Sequence, residues 1–361
     1  MKVLLVCSKS SVVKNFRKKL IEKLQELGHD VSAVAFDRQN EEIIRERGVD
    51  FYCCNDSNRS LNPFKILTLS KRISKEIKKV NPDIAFTFML KPNIFGVFGA
   101  KKAGVKNIYS MVEGTGDVFI YNTLKWKIIR WFVCKMYKKA FKNSKKVFFL
   151  NNDDKNEFVK RGLVKEEQCE IVHGIGIDLE RFEKKPIKNQ RTFLMIARLL
   201  KTKGVFEYCE AAKIVKEKYP DAVFNLVGPE GTVKASDIKE YTDAGIINYL
   251  GPTQDVRPFI EDASVHVLPS YKEGLGLVNV EAGAVGRASI TCDTNGTRDT
   301  VKDGYNGFLV PVGDAQAVAE KMIYFIEHPE AVTTMGDNSR KYVEENFDQR
   351  EINKKICEII L

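Results

Sequence analysis

The 361-residue chain contains no Asp-x-Asp, no Cys-x-x-Cys pair and only four histidines, at 29, 173, 266 and 328. Without Asp-x-Asp there is no ready carboxylate pair to bridge a divalent metal to a diphosphate. The scattered histidines and cysteines make structural zinc equally unexpected. His266 alternates into a strand and reads as a core residue. The eight cysteines (7, 53, 54, 134, 169, 209, 292 and 357) lie partly in apolar strand-like runs, where a reduced thiol behaves as a small hydrophobe. No apolar run reaches the ~18 residues of a spanning helix. The opening Lys2-Val3-Leu4-Leu5-Val6-Cys7 is too short for a signal-peptide core and reads as a buried first strand. That strand is not followed by Gly-x-Gly-x-x-Gly, so a nicotinamide dehydrogenase fits poorly. With 43% hydrophobic and 29% charged residues, the composition is that of a soluble globular protein, expected in the cytoplasm.

Charge is abundant but unevenly placed. Residues 1–150 hold 30 Lys+Arg against 13 Asp+Glu, a net +17, whereas the remainder has a net −7. The first half therefore calls for an anionic partner: a membrane surface, nucleic acid or a phosphorylated acceptor.

A chain of this length is too long for one ordinary core, and the patterning splits in two. Strand-like runs at 2–6, 31–36, 49–54, 83–88, 107–112 and 146–150 alternate with helical patterns such as 12–27, 64–80 and 121–142. A second set of strands falls near 192–197, 222–227, 246–250, 264–268 and 288–291. Alternation of this kind predicts two doubly wound α/β domains with parallel sheets and ligands at the carboxyl ends of the strands. The polar stretch Glu183–Arg191 interrupts the pattern, and the boundary is expected near 170, giving domains at 1–170 and 171–346. The final segments, 314–327, 331–346 and 349–360, are helical, and the last, within 347–361, is expected to pack back on the first domain.

The densest chemical signal is Leu268-Pro269-Ser270-Tyr271-Lys272-Glu273-Gly274-Leu275-Gly276-Leu277-Val278-Asn279-Val280-Glu281-Ala282. A buried strand ends at Pro269, a glycine-bearing loop follows, and a helix opens at Gly276 or Leu277, aiming unpaired N–H groups at an anion. Glu273 and Glu281, with seven residues between them, can accept hydrogen bonds from sugar hydroxyls on either side of that anion. On spacing alone, a solvated Glu273 and an ordinary helix-surface Glu281 fit as well. Upstream, Arg198 and Lys203 leave another strand, where a planar fork and a point charge can flank a diphosphate.

Together these pieces resemble the family 4 retaining glycosyltransferases of the GT-B fold, and within them bacterial enzymes that extend lipid-linked oligosaccharides. The resemblance rests on Ala197-Arg198-Leu199 with Lys203-Gly204, the Glu273/Glu281 pair, and Asp303-Gly304-Tyr305-Asn306-Gly307-Phe308-Leu309-Val310-Pro311, with a looser echo in His173–Phe182. It covers roughly 165–345, the first half agreeing only in layout. It implies two Rossmann-like domains with an active site in the cleft between them, and transfer of a hexose or N-acetylhexosamine from a nucleotide diphosphate sugar, UDP expected, to a glycan hydroxyl with retention. Arg198 and Lys203 would hold the diphosphate, Glu273 the sugar and Glu281 the ribose. The amides of Gly276 and Leu277 would meet the β-phosphate, Gly274 would belong to the same donor site, and Gly228 and Thr253 to Val256 would meet the nucleobase. No metal and no cofactor is implied, the sugar nucleotide being a substrate. The chain departs from many relatives in three respects. Its first loop is Cys7-Ser8-Lys9-Ser10-Ser11-Val12 rather than glycine-rich, which leaves Ser10 and Ser11 as candidate donors. Asp299 stands where Glu is common, and the donor-side histidine has no counterpart. Instead Val112-Glu113-Gly114-Thr115-Gly116-Asp117 ends a first-domain strand on the acceptor side. Glu113 is the candidate for contacting the acceptor hydroxyl, as a base or as a carboxylate that caps its loop.

Residues 121–146 carry nine Lys/Arg and no acid, together with Trp126 and Trp131. Ile129, Phe132, Val133, Met136 and Ala140 form the expected core stripe, leaving Lys127, Trp131, Lys135 and Lys138 on another face. An exposed Trp among lysines suits a lipid headgroup surface, and a polyprenyl-diphosphate-linked acceptor would explain the charge. Nucleic acid is not expected, because no stacking platform or motif supports it, though a plain solvated face fits the same residues. The expected location is the inner face of the cell membrane. Rival readings are a sugar-nucleotide epimerase of the same fold, which needs no acceptor, and a silent glycan- or lipid-binding module, against which the intact Arg198/Lys203/Glu273/Glu281 set argues.

Overall fold

The structure is a computed structural model that describes residues 1–56, 63–114, 117–120 and 123–361. It divides into two compact units. Unit 1 comprises Met1–Gly176 with Gln349–Leu361, and unit 2 is Ile177–Asp348.

Unit 1 carries β1 (Lys2–Val6), β2 (Asp30–Ala35), β3 (Asp50–Cys53), β4 (Ile84–Phe88), β5 (Asn107–Val112), β6 (Lys146–Phe149) and β7 (Cys169–Ile171). Unit 2 carries β8 (Thr192–Ile196), β9 (Val223–Val227), β10 (Asn248–Tyr249), β11 (Val265–Leu268), β12 (Ala288–Cys292) and β13 (Gly307–Val310). The sheets run β3-β2-β1-β4-β5-β6-β7 and β10-β9-β8-β11-β12-β13, with all of these neighbours parallel. Both orders reverse once, between β1 and β4 and between β8 and β11. At such a reversal the flanking connections leave toward opposite sides and open a crevice above the strand ends.

The helices of unit 1 are α1 (Ser10–Phe16), α2 (Lys18–Glu26), α3 (Glu41–Arg45), α4 (Pro63–Val80), α5 (Val97–Ala103), α6 (Asp117–Ile120), α7 (Leu124–Phe141) and α8 (Asn152–Lys160). Those of unit 2 are α9 (Val205–Lys218), α10 (Lys239–Asp243), α11 (Arg257–Asp262), α12 (Leu277–Ala284), α13 (Ala315–Glu327) and α14 (Pro329–Phe347). The closing helix α15 (Gln349–Ile360) returns to unit 1 and packs on α2, burying Ile352, Ile356, Cys357 and Ile360.

Each unit has its own core. Leu4, Val6, Phe149 and Phe158 belong to the core of unit 1, and Phe193, Leu226, Val267 and Phe325 to that of unit 2. The strands are apolar on both faces, as parallel strands covered by helices must be. All eight cysteines are free. Burial is the main cause that raises the thiols at Cys7 and Cys209, each to about 12.

Three sequence expectations need correction. The pattern at 12–27 is two helices, broken at Arg17, which ends one and precedes the other. β7 and β13, both at sheet edges, are not among the strands that the alternation predicts. On α7, Phe132 is not a core residue but 48% exposed. Only the second half of that helix is anchored, through Tyr137, Ala140 and Phe141, with Ile129, Val133 and Met136 partly covered.

Candidate active site

In unit 2, β8 and β11 are neighbours at the reversal, and the loops leaving their carboxyl ends are stitched together. Tyr271 donates its N–H to the Thr202 carbonyl at 3.0 Å, and the Ser270 hydroxyl donates to the same oxygen at 3.1 Å. Gly204, at φ 75°, has no room for a side chain, since a Cβ there would lie 2.1 Å from the Pro269 carbonyl oxygen. Only glycine tolerates that approach.

This stitching brings Lys203 to Glu273, with Nζ 2.5 Å from Oε1. Glu273 is also held through its N–H, which donates to the Asn295 carbonyl at 3.2 Å. Arg198, by contrast, is exposed, with no side-chain hydrogen bond or ion pair among the described residues. It leaves β8 beside the loop at 229–233, where Leu199 N–H donates to the Pro229 carbonyl and Val233 N–H to the Leu199 carbonyl, each at 3.0 Å.

Gly276, at φ 68°, precedes α12, and no side chain caps that helix start. No side chain therefore takes the N–H groups of Leu277 and Val278 at the start of α12, while that of Asn279 donates to the Gly276 carbonyl at 2.9 Å. One turn further on, Glu281 is mostly covered and makes no side-chain hydrogen bond or ion pair among the described residues. Burial raises its carboxyl to about 7; Arg181 lowers it and Asp255 raises it further. Asp255 itself is held down to about 2 by the Arg257 guanidinium. Glu281 is thus electrostatically coupled to the 253–256 loop. There the Thr253 hydroxyl donates to the Asp255 carbonyl at 2.8 Å, and Val256 precedes α11. Gly228 sits deeper, donating its N–H to the Gly251 carbonyl and accepting from the Tyr249 hydroxyl, each at 2.9 Å. Gly274 continues the Glu273 loop and packs against Gly296. His266 lies on β11 beneath α12, fully buried, and burial lowers its pKa to about 4.

In unit 1, Glu113 follows β5 and forms an ion pair with Arg17, a residue that nothing in the linear sequence marks. Arg17 also lies over the Phe88 ring, with Cζ 4.1 Å from its centroid. Ser10 is fully buried and its hydroxyl is already engaged, donating to Asp37 and accepting from the Asn40 side chain at 3.0 Å. Ser10 therefore ties α1 to the loop after β2, while Ser11 is partly covered. Thr115 and Gly116 of the Glu113 motif lie outside the described residues.

On α7, Lys127, Lys135 and Lys138 are exposed, as are Leu124 (75%), Ile128, Trp131 (60%) and Phe132. Lys135 Nζ stands 3.8 Å above the Trp131 ring. Among the described residues no helix is long and apolar enough to cross a membrane, and no cluster of three His, Cys, Asp or Glu side chains is arranged to hold a metal.

The family model of glycosyl transferases group 1 matches residues 177–342, and a glycosyl transferase 4-like model matches residues 2–151. Both models are of glycosyl transferases and together they span most of the chain, which is a glycosyltransferase. Among its relatives is the Campylobacter jejuni N,N'-diacetylbacillosaminyl-diphospho-undecaprenol alpha-1,3-N-acetylgalactosaminyltransferase, 29% identical, with 90% of this chain and 89% of that one covered. Another is the Escherichia coli UDP-Gal:alpha-D-GlcNAc-diphosphoundecaprenol alpha-1,3-galactosyltransferase, 27% identical over 80% and 81% of the two chains. Among solved structures, Anabaena Alr3699/HepE in complex with UDP and glucose superposes with a TM-score of 0.81 at 17% identity, covering 100% of this chain and 99% of that one. A glycosyltransferase from Rickettsia africae gives 0.79 at 21%, covering 99% and 97%. This glycosyltransferase thus has the GT-B fold, two parallel-sheet α/β units.

Proposed function

We propose that this glycosyltransferase moves a hexose or N-acetylhexosamine from a UDP-sugar to a hydroxyl of a glycan carried on a polyprenyl diphosphate, with retention at the anomeric carbon and without a metal ion. The observation that carries the reading is the stitched pair of loops at the β8/β11 reversal. They carry two cations, an uncapped helix start and a carboxylate at the carboxyl ends of neighbouring strands. In this reading Arg198, Lys203 and the Gly276–Leu277 amides take the charge that develops on the β-phosphate as the anomeric C–O bond breaks. Glu273 accepts hydrogen bonds from the donor sugar and Glu281 from the ribose, while Gly228, Thr253 and Val256 border the base. Glu113 in unit 1 accepts the hydrogen bond of the attacking hydroxyl. The names of the Campylobacter and Escherichia relatives support an undecaprenyl-diphosphate-linked acceptor.

The same reading puts the enzyme on the cytoplasmic leaflet through α7. Leu124, Ile128, Trp131 and Phe132 recur at helical spacing and are exposed, flanked by Lys127, Lys135 and Lys138. An apolar stripe edged with cations suits a monolayer of anionic headgroups better than a phosphate backbone. The test is turnover of UDP-galactose and UDP-N-acetylgalactosamine with undecaprenyl-diphosphate-linked N-acetylglucosamine and N,N'-diacetylbacillosamine, in excess EDTA, with the product's anomeric configuration read by NMR. An α-linked product formed in EDTA is expected, and Arg198→Ala or Lys203→Ala should abolish it in folded protein. Activity that EDTA removes and magnesium restores contradicts the proposal, as does near-normal turnover by both variants.

A further inference from the structure

The reversal between β1 and β4 in unit 1 is spanned by one side chain. Arg17, between α1 and α2, is 2% exposed and is among the largest fully buried side chains in the protein. Its guanidinium lies over Phe88, the last residue of β4, and its Nη2 donates to Glu113 Oε1 just beyond β5. Glu113 is 24% exposed, and its second oxygen makes no hydrogen bond among the described residues. The buried Nε of Arg17 likewise has no partner among the described residues, and the carboxylate that meets this charge is Glu113. Cys7, at the end of β1, does not compete: burial keeps it a neutral thiol.

We infer that Arg17 is a positioning residue for Glu113, holding one carboxylate oxygen so that the other faces the crevice and meets the acceptor hydroxyl. The inference rests on the reading of Glu113 given above. Arg17 has no open face for a ligand: stacking on Phe88 covers its plane and burial covers its edge. What it can do is fix a carboxylate. A free Glu side chain samples several rotamers, whereas one oxygen held by a planar, immobile donor fixes the direction of the other. A lysine would keep the charge but lose the fork and the stacking.

The experiment uses the full chain with the two UDP-sugars and two undecaprenyl-diphosphate-linked acceptors named above, in the combination that wild type turns over. Glu113→Gln should lower kcat/KM for the acceptor about 100-fold. Arg17→Met should lower it about tenfold or more and Arg17→Lys roughly threefold, with UDP affinity by calorimetry unchanged in each. The double variant Arg17→Met/Glu113→Gln should be no worse than Glu113→Gln, because Arg17 acts only through Glu113. Wild-type kcat/KM in Arg17→Met beside a crippled Glu113→Gln overturns the inference, as do losses that multiply in the double variant or UDP affinity that falls in parallel. Full activity in Glu113→Gln sinks the acceptor reading itself. If Arg17→Met fails to fold, Arg17→Lys decides: an acceptor-specific loss supports the role and wild-type kinetics overturn it.

Discussion

Glu273→Gln should tighten the binding of UDP while it cripples turnover. Lys203 is engaged by a carboxylate, its Nζ 2.5 Å from a Glu273 oxygen and both groups partly covered. A diphosphate arriving at Lys203 must compete with that carboxylate. The ammonium keeps a charge-assisted hydrogen bond to the amide oxygen of the variant, so the substitution removes only the ion pair, and a pair of partly exposed groups contributes about 0.2–1 kcal/mol. Replacing the carboxylate by the isosteric amide therefore lowers the cost of freeing Lys203 by up to about 1 kcal/mol, or about a fivefold gain in UDP affinity. The same change removes the proposed acceptor of the donor sugar's hydroxyls, so turnover should fall about 100-fold. Calorimetric titration with UDP, which lacks the sugar, isolates the first effect, and steady-state kinetics give the second. Lys203→Ala is the control: it should weaken UDP binding, and adding Glu273→Gln to it should bring no gain. If Glu273→Gln weakens UDP binding as Lys203→Ala does, the pair does not compete with the diphosphate.

Glu281→Gln tests the buried carboxyl. Because its folded value is about 7 against an ordinary 4.5, the native state holds a proton that the unfolded chain has lost between those pH values. Its contribution to stability should therefore decline as pH rises from about 4.5 to about 7, and subtracting the melting curves of the Gln variant checks it. If the carboxylate form binds ribose, UDP affinity should fall about tenfold per pH unit below 7 in wild type and stay flat in the variant. Arg287 is fully buried and makes no ion pair with a carboxylate within salt-bridge distance among the described residues, donating to carbonyls of Lys185, Pro186, Ile260, Glu261 and Val285 at 2.7–3.2 Å. Its charge is thereby met by the carboxyl ends of α11 and α12. Arg287→Met should cost ~3–5 kcal/mol and lower Tm by roughly 10 °C or more; a shift under ~3 °C shows that water satisfies those carbonyls instead. Replacing Leu124, Ile128, Trp131 and Phe132 by Ser should abolish sedimentation with anionic liposomes while leaving UDP affinity intact. Equal pelleting of variant and wild type would make α7 a solvated face.

What the sequence disclosed follows from how local each signal is. The alternation of strands and helices, the Arg198/Lys203 loop and the Glu273–Glu281 stretch are each written within about fifteen residues, so pattern and chemistry coincide. The Arg17–Glu113 pair joins residues 96 positions apart, and a single arginine in a helical stretch reads like any solvated charge. Ser10 shows the reverse: a hydroxyl free in the sequence is consumed by Asp37 and Asn40, which arrive from the loop after β2. Phe132 misled because periodicity reports that a helix has an apolar side, not how much of its length a core covers. α7 is anchored only near its end, and in its first two turns Leu124, Ile128 and Trp131 stay exposed. β7 and β13 are short edge strands whose pairing is decided by one neighbour, leaving little trace in composition.

Unit 2 is one unbroken stretch, and its two ends meet: Ile177 N–H donates to the Phe347 carbonyl at 2.8 Å and Ile177 pairs with Asp348. Unit 1 is the discontinuous partner, completed by α15 after the chain returns. In genetic terms unit 2 is a guest inserted into a host, and a guest with adjacent ends can be exchanged without cutting a strand or exposing a core. If donor recognition resides there, replacing codons 177–348 with the matching segment of a relative would change the sugar transferred and leave the acceptor half and α7 untouched. A lineage of such enzymes could then diversify its glycans by recombination at two points rather than by point mutation throughout.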